Sequence, residues 1–149
     1  MKDILVLGIG NRLMMDDGIG VYVVEELKER STNPSIRYIV GETDIYYCLD
    51  QIEEASYIII VDAACLDKEP GTISTIPLVP VLKNRVLPTS VHDSHLLYDI
   101  MPESKGIDGV FIGIEPAEVN YCPNLSKNLQ EQFISIVEGI EGIIASITR

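Results

Sequence analysis

Ile4-Leu5-Val6-Leu7-Gly8-Ile9-Gly10-Asn11, followed shortly by Asp16-Asp17-Gly18-Ile19-Gly20-Val21, decides how the chain is read. The stretch from Asp3 to Ile9 is a run of Ile, Leu and Val with no polar alternation, bounded by Gly8 and Gly10. That is the composition of a strand buried on both faces, as a parallel sheet requires. The span from Asp17 to Arg30 predicts a helix. Ile19, Val23 and Leu27 recur every four residues and form one apolar stripe. Asp16 and Asp17 sit at its start, where the helix dipole favours anions, and Lys28 and Arg30 sit at its end, where it favours cations.

Working outward, the same alternation continues. Ile36 to Val40 predicts a second strand, and Asp44 to Glu54 a short helix with Asp44 as N-cap. Tyr57 to Val61 is apolar throughout and predicts a central third strand. Gly71 to Pro77 follows a Pro70-Gly71 turn, and Pro77 and Pro80 place this fourth strand at a sheet edge. Asp93 to Met101 predicts a helix ended by Pro102, and Gly109 to Ile114 a fifth strand. Leu125 to Ile147 predicts a closing helix capped by Ser126, with Leu129, Phe133, Ile136, Ile140, Ile143 and Ile147 as its buried stripe. Gly139 and Gly142 lie inside it, each costing about 1 kcal/mol relative to alanine, either to permit close packing or simply weakening the last turns. The expected class is α/β: a three-layer sandwich with helices on both faces of a mostly parallel sheet, in one domain covering residues 1–149.

Composition removes several function classes. The formal charge of −12 argues against nucleic acid, whose phosphates need clustered Lys and Arg, and against anionic membrane. No apolar run reaches the 18 residues of a membrane span. The Ile4–Leu7 run is too short for a signal-peptide core, so a cytoplasmic protein is expected. Cys48, Cys65 and Cys122 are odd in number and form no C-x-x-C pair, which fits reduced thiols rather than a disulfide scaffold or a cysteine-rich zinc site. Packing is the ordinary role for such cysteines, and a catalytic thiol the minority one.

In open α/β sheets, sites form beyond the carboxyl ends of the strands. Asn11, Asp16 and Asp17 follow the first strand and Asp62 follows the third. Ser90-Val91-His92-Asp93-Ser94-His95 lies between the fourth strand and the next helix and holds both histidines. Singly, each has an ordinary role: Asp62 as a cap or turn residue, Asp16 or Asp17 as a cap, His92 and His95 as surface side chains. Asp16 and Asp17, being neighbours, point apart and make a poor proton-sharing dyad, but one can cap while the other faces a cleft. Together, two carboxylates from separate strand ends and an imidazole make a three-ligand site with open positions. Such mixed donors suit a borderline divalent ion such as nickel or zinc, and open positions serve catalysis or recognition of a substrate's metal. A dinucleotide fingerprint is the rival for Gly8-Ile9-Gly10, but its third glycine position is Leu13 and two acids follow, which would repel a pyrophosphate.

The Leu5–Asn11 and Asp16–Val21 blocks resemble the N-terminal signature of the hydrogenase maturation proteases. Ile60-Val61-Asp62-Ala63-Ala64 with Pro70-Gly71-Thr72-Ile73, then Ser90-Val91-His92 with Leu96, and Phe111-Ile112-Gly113-Ile114-Glu115-Pro116 resemble that family's later blocks in order and spacing. The resemblance implies a twisted five-stranded sheet with one antiparallel strand. It places the family's metal ligands on Asp17, Asp62 and His92, with Asp16 as the other half of the acidic pair and His95 secondary. It departs at Val40-Gly41-Glu42-Thr43, where the family often shows Asp-Gly-Gly-Thr; Glu42 stands for a glycine in a loop thought to engage substrate.

The activity implied is that of an endopeptidase, and the acidic surface suggests a monomer. It removes the C-terminal extension of a nickel-loaded nickel–iron hydrogenase large-subunit precursor, the three ligands reaching the substrate's nickel or a metal held jointly with the substrate. Cleavage would use a metal-polarised carbonyl or metal-bound water, or a carboxylate, Asp16 or Asp17, as general base. No H-E-x-x-H helix or G-x-S-x-G elbow is present to offer another template. The alternatives are a non-enzymatic nickel-holding chaperone, a dinucleotide-binding domain, and a peptidase of the same fold acting on spore proteins.

Overall fold

A computed structural model describes residues 3–78 and 108–149. β1 (Ile4–Ile9) is buried along its whole length and is followed by a 3-10 turn (Met15–Gly18) and α1 (Ile19–Arg30). Then come β2 (Ile36–Glu42), α2 (Ile45–Glu53), β3 (Tyr57–Ala63), β4 (Ile73–Pro77), β5 (Gly109–Ile114) and α3 (Lys127–Ile147). The sheet order is β2-β1-β3-β5-β4. Every pairing is parallel except β4 against β5. The apolar β3 is central, and the proline-bearing β4 is an edge strand.

Strand side chains alternate between two faces, and each face has its own core. Val6, Ile59, Val61, Ile112 and Ile114 pack with Val23, Leu27, Leu129, Ile136 and Ile140, so α1 and α3 cover one face. Leu5, Leu7, Ile58, Ile60 and Phe111 pack with Cys48 and Ile52 of α2 on the other. The expected three layers and the single antiparallel strand are both present. Asp44 caps α2 by accepting from the Tyr47 amide at 3.1 Å, and Ser126 caps α3 by accepting from Leu129 at 3.2 Å. The predicted stripe of α3 is buried at Leu129, Ile136 and Ile140; Phe133, Ile143 and Ile147 are only partly so, and Val137 and Ile144 complete it.

Several boundaries differ from expectation; α3 begins at Lys127 rather than Leu125, after its Ser126 cap, and α2 ends at Glu53 rather than Glu54. The first helix begins at Ile19 rather than Asp17, because Met15 adopts a left-handed φ of 50° and the acids lie in the 3-10 turn. Neither acid caps the helix, whose N-cap is Gly18. β2 runs on to Glu42 instead of ending at Val40. β3 also runs two residues further, since Asp62 and Ala63 pair with Gly113 and Ile114 of β5, so Asp62 lies inside the strand rather than after it. β4 starts at Ile73, because Pro70 and Gly71 form the turn and Thr72 belongs to no strand. The predicted helix from Asp93 to Met101, with Pro80, His92 and His95, lies outside the described residues. Among the described residues no helix is long and apolar enough to cross a membrane.

The two glycines of α3 separate cleanly. A Cβ on Gly139 would meet Ile73 Cδ1 at 2.8 Å, whereas one on Gly142 meets nothing within 4 Å. Gly142→Ala is therefore expected to stabilise the fold by about 0.5–1 kcal/mol through backbone entropy and helix propensity. Gly139→Ala gains less or loses. Urea unfolding of both variants followed by circular dichroism checks the contrast, and equal gains would contradict the packing role of Gly139.

Candidate active site

Among the described residues, four carboxylic acids are buried at or beyond the carboxyl ends of the central strands: Asp16 and Asp17 in the 3-10 turn after β1, Asp62 in β3, and Glu115 directly after β5. No Lys or Arg is buried among the described residues. Removing a carboxylate from water costs several kcal/mol unless hydrogen bonds, an ion partner or a metal compensates. The local structure follows from how each acid is satisfied.

Asp16 receives four donors. The amides of Ala117 and Glu118 donate to Oδ2 at 2.9 Å each, Ser126 Oγ donates to Oδ2 at 2.7 Å, and the Ser126 amide donates to Oδ1 at 2.8 Å. Three of these donors converge on Oδ2 and one on Oδ1, out of the roughly four lone-pair sites a carboxylate offers. Backbone bonds from Met15 N to Cys122 O (2.9 Å) and from Asp16 N to Glu118 O (3.1 Å) run beside it. Asp16 thus ties the 3-10 turn to the loop preceding α3. It is a brace, and its four donors fix its orientation toward the scaffold.

Glu115 plays a similar part on the other side. Its Oε1 accepts from the Leu66 amide at 2.8 Å, and its backbone exchanges bonds with Gly71 and Thr72, fixing the loop between β3 and β4. The sequence singled out Glu115 only within a block of resemblance. Its signal was an acid ending an apolar strand, the same signal that picked out Asp62.

Asp17 and Asp62 remain the candidates for chemistry. Asp17 Oδ2 accepts from the Asn11 amide at 3.2 Å, and Asp62 Oδ1 accepts from the Ala63 amide at 2.7 Å. Asp17 lies in the 3-10 turn that follows β1 and Asp62 near the end of the neighbouring parallel strand β3, where it has the parity of Ile58 and Ile60, facing the α2 side of the sheet. The loop closes on Asp17 because residue 10 is glycine. Its φ is +137°, and a Cβ there would collide with the carbonyl oxygen of Asp17. Among the described residues no three His, Cys, Asp or Glu side chains are grouped to hold an ion. Asp17 and Asp62 are two of the expected three ligands; the third, His92, lies outside the described residues, as does His95.

The non-glycine residues with positive φ, among those described, are Met15, Glu42 and Asp67, and all follow or end strands at this edge. Each left-handed residue costs about 1–2 kcal/mol, and such strain gathers at functional sites. At Glu42 an ion-pair clamp offsets it. Arg12 Nε donates to Glu42 at 2.7 Å, while Nη1 and Nη2 grip Glu25 at 2.8 and 2.6 Å. The Arg12 guanidinium lies 5.4 Å from the Tyr22 ring centroid. The bond to Glu25 foremost, then that to Glu42, pushes the Arg12 pKa still higher than usual. Gly10 N donates to Glu42 O at 3.0 Å. The left-handed φ also explains why glycine suits this position sterically. Between the loops lies a groove of about 640 Å³, walled by residues 10–13 on one side and by residues 40–44 with Tyr47 on the other.

Neither Cys48 nor Cys65 shows activation. Burial, and then the Asp44 charge, push the buried Cys48 thiol up to about 12. Partial desolvation, then the charges of Glu115, Asp17 and Asp67, raise Cys65. A nucleophilic thiol requires the opposite shift.

Comparison with known proteins identifies the family and the fold. A family model described as hydrogenase maturation protease matches residues 21–143. A protein of Methanocaldococcus jannaschii named as a hydrogenase maturation protease is 33% identical over 99% of this chain and 98% of its own length. The coenzyme F420 hydrogenase subunit delta of Methanothermobacter thermautotrophicus is 30% identical over 85% and 82% respectively. Among solved structures, the hydrogenase maturation protease HycI of Thermococcus kodakarensis superposes with a TM-score of 0.71 at 26% identity, over 98% of this chain and 92% of that one. The endopeptidase HybD of Escherichia coli shares the fold with a TM-score of 0.80 at 24% identity, over 98% and 93%.

Asp16→Ala is expected to destabilise the protein by about 3 kcal/mol or more, because it leaves buried donors unsatisfied; a urea midpoint within experimental error of the wild type would contradict the brace. The thiols give a second check. With its pKa raised and its sulfur buried, Cys48 stays unalkylated in the native protein at pH 8 while Cys65 reacts. Asp17→Asn removes one of the charges opposing the Cys65 thiolate and so speeds that reaction, as peptide mass mapping would show.

Proposed function

The chain belongs to the hydrogenase maturation protease family, a family of peptidases, and on that premise we propose that it removes the C-terminal extension of a nickel–iron hydrogenase large-subunit precursor once nickel is in place. The nickel is the substrate's own. Asp17, Asp62 and His92 recognise it, so that cleavage reports metal loading, and the enzyme works as a cytoplasmic monomer. The observation that carries this reading is the burial of Asp17, in the turn after β1, and of Asp62, near the end of the neighbouring β3, while no Lys or Arg is buried among the described residues. Two oxygen donors and one imidazole nitrogen suit a borderline divalent ion. Such an ion lowers the barrier by polarising the adjacent carbonyl oxygen.

The chain's own residues then have distinct parts. The Asn11 amide holds Asp17 from one side. Of the two acids expected to act as bases, Asp16 has its oxygens committed to four scaffold donors, so Asp17 carries the proposed chemistry. A nickel-holding chaperone would use the same ligands without releasing a peptide.

Incubation with nickel-loaded precursor, followed by mass measurement of the large subunit, separates the two. The expected outcome is loss of the tail; an intact mass would leave the chaperone reading standing. His92→Ala, Asp17→Asn and Asp62→Asn are expected to slow processing about 100-fold or more, since loss of a ligand exceeds the effect of losing its supporting partners. His95→Ala should retain far more activity. Wild-type rates in the His92 variant would remove the ligand assignment.

A further inference from the structure

Five large apolar side chains stand out on the described surface: Leu13 (61% exposed), Tyr46 (82%), Tyr47 (41%), Tyr121 (88%) and Ile134 (53%). Single exposed apolar residues need no explanation, but the distribution here is uneven. Ile134 is alone on α3. The other four border the carboxyl end of the sheet. Leu13 precedes the 3-10 turn, Tyr46 and Tyr47 occupy the first turn of α2, and Tyr121 lies in the loop that Asp16 braces. Cys122 N donates to Leu13 O at 2.9 Å, and Met14 bridges to Cys122, so the Tyr121 segment lies beside Leu13. Leu13 and Tyr47 both line the groove of about 640 Å³.

The patch is continuous with the buried acids. Asn11 Oδ1 accepts from the Leu13 amide at 2.9 Å, and the backbone amide of the same Asn11 donates to Asp17. Its charge is one-sided. The groove is lined by Glu42 and Asp44, and the one basic side chain in its wall, Arg12, has its guanidinium engaged by Glu25 and Glu42. Clamp, bridge and brace hold these loops in place, so little ordering is needed on association, which favours affinity. Tyrosine on a rigid support is a common anchor of protein interfaces.

We propose that Leu13, Tyr46, Tyr47 and Tyr121 form the docking surface for the part of the substrate protein that flanks the cleavage point. That segment presents apolar side chains to the aromatic rim and Lys or Arg to Glu42 and Asp44. The proposal rests on the peptidase reading above and adds to it the chemistry of the partner.

The test is steady-state processing of the nickel-loaded precursor by wild type and by Leu13→Ser, Tyr46→Ser, Tyr121→Ser and Ile134→Ser, with parallel measurement of precursor binding by isothermal titration calorimetry. Each rim variant is expected to raise KM and Kd about fivefold or more, with a smaller change in kcat. Ile134→Ser should match the wild type. Raising salt from 50 to 300 mM should weaken wild-type binding, because exposed charge pairs are screened. Rim variants indistinguishable from Ile134→Ser in both KM and Kd would overturn the proposal. So would rim variants that convert a wild-type dimer to monomer in sedimentation while KM and Kd stay unchanged, since the rim would then join copies of this chain. If the wild type binds precursor but releases no tail, the peptidase reading fails, and the Kd values alone decide the docking surface.

Discussion

The carboxylate of Asp16 is the interaction on which the working end of the molecule depends. It is fully buried, and the donors it gathers come from a loop and a helix cap more than a hundred residues away in sequence. Buried carboxylates are unfavourable until their lone pairs are filled. Once filled, they make an arrangement that is hard to deform, because losing any donor exposes part of the desolvation cost. Here that rigidity goes into a 3-10 turn. The turn sets Asp17 and also carries the left-handed Met15, a conformation that isolated chain would leave.

Around this brace the loops at the carboxyl end of the sheet are cross-linked in series. Glu115 holds the loop after β3. The Arg12 guanidinium joins the first loop to Glu42 at the end of β2 and to Glu25 on α1. The Tyr22 hydroxyl donates to Pro123 O at 3.2 Å, linking α1 to the segment before α3. The strained residues are therefore held by interactions from outside their own loops. The sheet supplies the foundation: strands whose residues are buried on both faces leave the loops at this end as the place where polar chemistry is carried.

Much of this was legible in the sequence. The uninterrupted apolar runs at Ile4–Leu7 and Tyr57–Val61 announce central parallel strands, and Pro77 announces an edge, because these signals arise from local burial and backbone chemistry. Asp44 and Ser126 were readable as caps for the same reason. Asp17 and Asp62 stood out as acids at the ends of such runs. The part of Asp16 was not legible: its proximity to Asp17 in sequence suggests a shared role, whereas its partners are set by tertiary contacts that no local pattern encodes. The boundary of β3 was missed because an aspartate looks like a strand terminator until Gly113 is found opposite it. Glu42 could be seen as an unusual residue for its loop, but its compensation by Arg12, thirty residues earlier, could not.

The bond between Asp16 and Ser126 spans 110 positions of the chain. Synthesis proceeds from the N-terminus, so the turn bearing Asp17 emerges from the ribosome long before the serine that anchors it. A nascent chain can pair its first three parallel strands early, yet the segment that locks the acidic turn arrives only with the final helix. Competence at this end of the sheet thus comes last in the life of the polypeptide, and an interrupted translation product would lack it.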